Sequence, residues 1–378
     1  MTAFSIQDRE FMARAIRLAR RGLYTTAPNP RVGCVLVKDG LIVGEGFHLR
    51  AGEGHAEVNA LRHAGEQARG ATAYVTLEPC SHHGRTPPCA EGLIRAGVAR
   101  VVAGMVDPNP QVAGRGMKLL AEAAVVAEHG LLEAQARELN PGFIKRMEQG
   151  MPLVTLKLAG SLDGRTAMRS GESQWITGPQ ARRQVQRLRA RSCAIISGVE
   201  SILQDDSALT VRETELGLDN AAEIVCRQPL RVVLDSRLRT PPDANILKQA
   251  GRTLLVHVGE RPGNEQALKL AGAELLALPA LDGRVDLSAL LRYLAQHEQC
   301  NEVLVETGAT LAGAFVEQQL ADRLVLFMAP TLMGSDGRPL LELPLTRMAQ
   351  QIPLKVLDCR QVGGDLCFTL QPKYREAD

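Results

Sequence analysis

The chain has 378 residues, a formal net charge of +2, 45% hydrophobic and only 3% aromatic residues, so two domains of ordinary size or three small ones fit, with cores of Leu, Val, Ile and Ala. Near-neutral charge argues against the basic footprint of a nucleic-acid binder. Met1 to Arg21 lacks the apolar run of a signal peptide, and no stretch approaches the ~18 apolar residues that span a bilayer; a cytosolic protein with a small-molecule partner, no nucleic acid and no membrane is expected.

Ser5-Ile6-Gln7-Asp8 has the form of a capping box, with Phe11, Ala15, Leu18 and Ala19 following at helical spacing. A first helix to about Arg21 is predicted. Val32 to Val37 and Leu41 to Val43 are apolar runs joined by Lys38-Asp39-Gly40, a hairpin signal. A helix over His55 to Ala64, a strand over Thr72 to Leu77, a helix over Cys89 to Ala96 and a strand over Arg100 to Val106 follow. Together they predict a sheet covered by helices, with ligands at strand and helix ends.

His55-Ala56-Glu57, read with Pro79-Cys80 and Cys89, is the stretch that carries chemistry. One histidine and two cysteines are the N/S donors of a catalytic zinc site that keeps its fourth position for water. Glu57 is then the proton shuttle of a zinc deaminase, in which metal-activated water attacks an amino-bearing ring carbon. Each residue alone is more often structural, and a site that kept the residues and lost the activity is the alternative. The two cysteines are separated by the eight residues Ser81 to Pro88, longer than the two-residue knuckle of a generic deaminase. Cys34, Cys193, Cys226, Cys300, Cys359 and Cys367 lack metal-like spacing and read as packed thiols of a reducing compartment.

Pro28-Asn29-Pro30-Arg31-Val32-Gly33-Cys34, Gly46-Phe47-His48, His55-Ala56-Glu57, Glu78 to Cys89 and Asp107-Pro108-Asn109-Pro110-Gln111-Val112 together resemble the deaminase half of the bifunctional bacterial riboflavin-biosynthesis deaminase/reductases. The long intercysteine loop is characteristic of that family. The resemblance implies one zinc ion on His55, Cys80 and Cys89, Glu57 as shuttle, and Asn29, His48, His82, Asp107 and Asn109 around a phosphoribosylamino-pyrimidine. The prolines beside Asn29 and Asn109 also suit simple turns, and His48 and His82 also suit exposed positions. Arg85 adds a cation to the loop, for a phosphate or for solvent.

Asn140-Pro141-Gly142 and Glu148-Gln149-Gly150-Met151-Pro152 break the pattern, placing a boundary near residue 148, hence domains 1–148 and 149–378. Beyond it, Leu153 to Ala159, Cys193 to Ser197, Arg231 to Asp235, Thr253 to Val258, Glu302 to Glu306 and Leu324 to Met328 are short apolar runs. Helical patterns such as Pro179 to Arg191 and Leu287 to His297 separate them. A largely parallel sheet with helices on both faces is predicted. No Gly-x-Gly-x-x-Gly follows the first strand; the strand end running from Glu306 into Gly308-Ala309-Thr310-Leu311-Ala312-Gly313-Ala314 suits a phosphate at a helix start, or close packing.

Ser161-Leu162-Asp163-Gly164-Arg165, Gly171 to Thr177, Gly198 to Asp206, Leu209 to Arg212 and the Glu306 segment resemble the reductase half of the same family. The implied architecture is α/β throughout: a cytidine-deaminase-like three-layer α/β/α domain, then a dihydrofolate-reductase-like domain using NADPH. The resemblance places Ala159, Trp175, Ser201, Asp205, Ser236 and Gly308 to Ala314 at NADPH, and Ser173, Arg189, Leu209, Arg212 and Glu306 at the substrate. Arg237 beside Ser236 is a candidate for a 2′-phosphate. Trp175 also suits a core anchor, and Arg189 a solvated face. Ser201 stands where threonine is usual, Ser207 where proline is, and Thr307 where glycine or alanine is. The expected function is hydrolytic deamination of 2,5-diamino-6-(5-phosphoribosylamino)pyrimidin-4(3H)-one, then NADPH-dependent reduction of its ribosyl side chain to ribityl, by a homo-oligomer. A lone deaminase carrying a regulatory nucleotide-binding module, and a zinc-stabilised binding protein, are the competing readings.

Overall fold

A computed structural model of the chain describes residues 4–81, 88–110, 112–259 and 262–374. His82, Arg85 and Gln111 lie outside the described residues. The chain divides into two compact units, Met1–Met151 and Pro152–Asp378.

In the first unit, helix α1 (Ile6–Ala19) starts on Ser5, whose hydroxyl accepts the Asp8 N–H while the Asp8 carboxylate accepts the Ser5 N–H. That is the reciprocal cap read from the sequence. Strands β1 (Gly33–Lys38) and β2 (Leu41–Phe47) form the hairpin, with Asp39 and Gly40 at φ 51° and 77°, the positive values that match a tight turn to strand twist. Strands β3 (Thr72–Val75), β4 (Arg100–Ala103) and β5 (Val126–His129) complete a sheet of order β2-β1-β3-β4-β5, antiparallel around β1 and parallel from β3 onward. Strand alternation divides the core. Cys34, Leu36, Ala73, Val75, Val101 and Ala103 face Ala56, Ala60, Leu93 and Leu120 on one side. Val35, Val37, Tyr74 and Val102 face Met12, Ala15, Ile16 and Leu139 on the other. Two half-cores around one sheet make the three layers. On the first side lie α2 (Ala56–Ala64), α3 (Cys89–Arg95) and α4 (Arg115–Glu122).

The second unit is built on a nine-stranded sheet. Its strands are β6 (Leu153–Ser161), β7 (Ala194–Gly198), β8 (Leu230–Leu234), β9 (Thr253–Val258), β10 (Glu274–Leu278), β11 (Glu302–Glu306), β12 (Arg323–Ala329), β13 (Leu354–Val362) and β14 (Asp365–Pro372), in the order β10-β9-β8-β7-β11-β6-β12-β14-β13. All pairs from β10 to β12 are parallel; β12–β14 and β14–β13 are antiparallel. The prediction of a largely parallel sheet therefore stands, with an antiparallel hairpin at its C-terminal edge that the sequence reading did not include. The first strand, β6, lies inside the sheet; the chain winds outward through β7 to β10, and β11 inserts between β6 and β7. Helices α5 (Pro179–Arg191), α6 (Val199–Asp205), α7 (Leu287–Gln296) and α8 (Ala309–Glu317) connect these strands. The carboxyl ends of β6, β11 and β7 thus meet where the winding reverses, the place at which open α/β sheets bind ligands.

Candidate active sites

His55 occupies the N-cap of α2 in extended conformation, with no capping bond from its side chain. Its imidazole is therefore available to a ligand. Cys89 is the first residue of α3, and Cys80 lies on the segment after β3. His55 Nδ1 is 3.7 Å from Cys80 Sγ and 3.3 Å from Cys89 Sγ, and the three ligand atoms all lie within 4.8 Å of one another. Tetrahedral zinc with bonds of about 2.0–2.3 Å sets donor atoms roughly 3.5 Å apart, so the donor set and its spacing fit the metal. The two thiols compete for charge. Cys80 falls to about 4, foremost through its hydrogen bond with Cys89, while that same bond drives Cys89 up. A divalent cation is what lets both ionise.

Glu57 sits one residue inside α2, 3% exposed. Burial raises its carboxyl to about 7, with the Cys80 charge adding to the rise. His48 is buried and its pKa is lowered, foremost by desolvation. Its Nδ1 lies 3.2 Å from the Gly54 carbonyl, which only accepts, so Nδ1 carries the proton and Nε2 accepts from the Asn29 amide at 3.0 Å. The His48 and His55 rings meet edge-on at 5.2 Å. The structure thus joins Asn29 and His48 to the metal cluster, and His48 is no exposed histidine.

Glu78 is a residue whose role the sequence reading missed. Buried, it accepts four backbone N–H groups: Asp107 at 3.1 Å and Gly114 at 2.9 Å on Oε2, Gly116 at 2.8 Å and Met117 at 3.3 Å on Oε1. One carboxylate two residues before Cys80 therefore fixes the loop that carries Asp107 and Asn109. Asp107 Oδ1 in turn accepts the Asn109 N–H at 2.8 Å. The loop approaches so closely that a Cβ on Gly116 would stand 2.0 Å from the Pro79 carbonyl oxygen.

In the second unit, α6 and α8 start at the carboxyl ends of the paired strands β7 and β11. Their N-caps, Gly198 and Gly308, bring no side chain, and a Cβ on Gly198 would touch Thr307 Oγ1 and Leu311 Cδ2. Two uncapped helix starts therefore lie side by side, a suitable cradle for phosphate oxygens. Space at Gly308 is open, whereas a Cβ on Gly313 would stand 2.0 Å from the Glu342 carbonyl oxygen. The two readings of this small-residue stretch divide along it: Gly308 to Leu311 leave room for a ligand, while Ala312 and Gly313 are packed inside. Ser201 and Asp205 lie on α6, and Ser236 follows β8. Ala159 is on β6. Trp175 is 69% exposed with the Arg182 guanidinium 4.5 Å above its ring, which rules out a core anchor. This donor-rich, uncapped sheet end fits NADPH.

Glu306, at the end of β11, holds Arg189 through two bonds of 2.6 and 3.0 Å, and Arg189 also donates to the Thr210 carbonyl at 3.0 Å. Arg189 is not a solvated charge. Burial pushes Glu306 up, but Arg189 outweighs it and holds the carboxylate below its ordinary value. Lys157, which pairs with Glu306 across β6 and β11, sets its ammonium 4.0 Å away, and burial lowers its pKa. The sequence reading had passed over this lysine, the lone charge within Leu153 to Ala159. Arg212 is exposed and bonded to Glu215, and Ser173 is half-buried. Leu209 is buried among Val199, Ile202 and Val233, a packing position.

The family model described as the RibD C-terminal domain matches residues 152–368, and that of the cytidine and deoxycytidylate deaminase zinc-binding region matches residues 5–105. The riboflavin biosynthesis protein RibD of Escherichia coli is 53% identical over 371 residues, covering 97% of this chain and 99% of its own; that of Haemophilus influenzae is 48% identical, covering 99% and 100%. Among solved structures, Acinetobacter baumannii RibD superposes with TM-score 0.90 at 48% identity over 97% of this chain and 99% of its own. A diaminohydroxyphosphoribosylaminopyrimidine deaminase/5-amino-6-(5-phosphoribosylamino)uracil reductase from Thermotoga maritima does so with TM-score 0.83 at 31% identity, covering 97% and 99%.

Proposed function

The chain belongs to the RibD family of riboflavin-biosynthesis proteins, bifunctional enzymes with a zinc-dependent deaminase and an NADPH-dependent reductase, and from that membership we propose how both reactions are distributed over its residues. Deamination falls to residues 1–148 and reduction to 149–378. The substrates are those in the name of the Thermotoga relative: the phosphoribosylamino diaminopyrimidine first, its deaminated uracil second. The observation that carries this is the convergence of His55, Cys80 and Cys89 on one point beside the buried carboxyl of Glu57.

In the first reaction a ring C–NH₂ and water become C=O and ammonia. His55, Cys80 and Cys89 would hold a zinc ion, which would supply a water of lowered pKa beside Glu57. Glu57 takes a proton on its carboxylate and returns it to the leaving amine; a carboxyl near neutral suits both directions. His48, held as a neutral ring by Gly54 and Asn29, presents fixed polarity to the pyrimidine. The Asp107–Asn109 loop, stiffened by Glu78, closes on the ribose phosphate.

In the second, NADPH supplies a hydride. Gly308 to Leu311 and the start of α6 take its phosphates, with Ser201, Asp205, Ser236, Ala159 and Trp175 along its length. Arg189, Arg212 and Ser173 receive the substrate, the arginines facing its phosphate. Glu306 positions Arg189, and Lys157 beside it adds a half-buried positive charge.

No helix among the described residues is long and apolar enough to cross a membrane, in keeping with cytoplasmic work on soluble substrates. Self-association is assigned to β13. It is the sheet edge, with Leu354, Val356 and Leu357 at 44%, 58% and 44% exposure, and a long apolar edge is a template for pairing. Mass analysis of the products from the phosphoribosylamino diaminopyrimidine tests the scheme: deaminated ribosyl product without NADPH, deaminated ribityl product with it. Deamination that NADPH leaves unextended would overturn the reductase half, and neither product the whole.

A further inference from the structure

Helix α8 holds an anion at its start, supplied by a distant part of the chain. Thr310, the second residue of α8, is exposed, and its hydroxyl donates to Glu342 Oε2 at 2.8 Å. Glu342 belongs to the segment that follows β12 and is exposed as well. Its backbone is fixed against the same helix. The Glu342 N–H donates to the Ala309 carbonyl at 3.1 Å, and its own carbonyl oxygen lies so near Gly313 that a Cβ there would stand 2.0 Å away. The side chain is therefore the part that can move. Gly308, the N-cap of α8, brings no side chain, so the positive end of the helix dipole acts together with Thr310 to hold the Glu342 carboxylate.

The same turn, Gly308 to Leu311, is the one assigned to the phosphates of NADPH, and two anions compete for it. A threonine hydroxyl has a single proton to donate. While Thr310 gives it to Glu342 it has none for a phosphate oxygen, and the carboxylate charge repels the phosphate besides. We propose that Glu342 is a built-in competitor of the cofactor: its carboxylate and a cofactor phosphate alternate at the start of α8. When NADPH or NADP⁺ binds, the carboxylate swings out to solvent and leaves the Thr310 hydroxyl to donate to a phosphate oxygen. Glu342 is exposed, so this movement breaks no buried contact. The proposal rests on the assignment of NADPH to the second unit and deepens it. Reduced and oxidised cofactor carry the same phosphates, so Glu342 weakens both alike and speeds the departure of NADP⁺ once the hydride is gone.

Calorimetric titration of NADPH and of NADP⁺ into the full, zinc-loaded chain is the test. Glu342→Gln keeps the shape and an oxygen that accepts from Thr310 but removes the charge, and the dissociation constants of both cofactors should fall about three- to tenfold. Glu342→Ala removes bond and charge together and should tighten binding as well. Melts give a second readout. Each substitution should lower the second unit's melting temperature without cofactor, because α8 loses its anion, and leave that of NADPH-saturated protein equal or higher. A contact that only fastened the segment to the helix would lower both. Dissociation constants unchanged or raised in either variant would overturn the proposal and leave the reductase reading standing; unsubstituted protein that binds no NADPH would overturn the two together.

Discussion

Two carboxylates of the first unit illustrate opposite uses of burial. Glu57 is buried among groups that leave its proton near neutrality, so its removal should strike chemistry and spare structure. Glu57→Gln is expected to slow deamination by about 10²–10⁴-fold, to keep one zinc per chain by elemental analysis, and to leave NADPH-dependent reduction of the deaminated substrate untouched. Loss of zinc in that variant would mean that Glu57 is a ligand. Asp8, by contrast, is held in the charged state. Burial opposes ionisation, but the bonds from Arg100 at 2.6 Å, Tyr74 at 2.7 Å and Ser5 win and hold its carboxyl well below the ordinary range. A depressed folded pKa contributes stability above the unfolded value of about 3.9 and loses it as pH falls toward the folded value. Asp8→Asn should therefore cost about 1–3 kcal/mol near neutrality. In thermal melts the gap to the unsubstituted protein should narrow below about pH 4; a gap constant with pH would show that packing, not charge, is what Asp8 provides.

At the scale of the element, α8 separates two jobs that its sequence mixes. Gly308 has ordinary extended φ and open space, so Gly308→Ala should leave the melting temperature within a degree or two of the original while raising KM for NADPH, the methyl standing where a phosphate oxygen would approach. Gly313→Ala meets the Glu342 carbonyl at 2.0 Å; the helix must move, and stability and cofactor affinity should fall together, by about 1–3 kcal/mol in stability. Equal effects of the two substitutions in melts and in NADPH titrations would sink this division. The same helix shows what was legible in the chain. Strong patterns such as Pro179–Arg191 and Thr253–Val258 were readable to the residue, because a helix buried on one face writes a period and a strand buried on both writes a continuous apolar run. Strand β5, Val-Ala-Glu-His, and helix α4 escaped, since a half-exposed edge strand carries little alternation and α4 starts at Gly114 with no capping side chain. The clustering of His55, Cys80 and Cys89 was legible because the metal chemistry proposed for them restricts residue types. Glu78 and Lys157 were not singled out, although each left a trace: a buried acid beside Pro79-Cys80, and one charge inside an apolar run. What they do depends on partners 29 or more positions away, Asp107 for Glu78 and Glu306 for Lys157, which spacing alone does not reveal.

Taken whole, the proposed assignment sets two chemistries on two separately cored units, and the proposed metal and dinucleotide sites share no residue. The donors His55, Cys80 and Cys89 all come from the first unit, and the uncapped starts of α6 and α8 from the second. Zinc removal should therefore act on one activity alone. Two ligands sit at helix starts and the third on the segment between β3 and α3, so losing the ion frees two thiols but opens no core: Ala56, Ala60, Ala90 and Leu93 stay packed against the sheet. Dialysis against a zinc chelator should abolish deamination, leave the reductase rate on supplied deaminated ribosyl substrate within about twofold, and lower the first unit's melting temperature, because bound metal adds its binding free energy to folding. Adding back one equivalent of zinc should restore deamination. Because ribityl product can form from the diaminopyrimidine only after the first step, the stripped protein given that substrate and NADPH should accumulate nothing, while a mixture with zinc-loaded Glu306→Gln protein, whose first unit is intact, should regain flux through exchange of the free intermediate. Failure of the mixture to turn over, with each half active on its own substrate, would mean that the intermediate does not pass through solution.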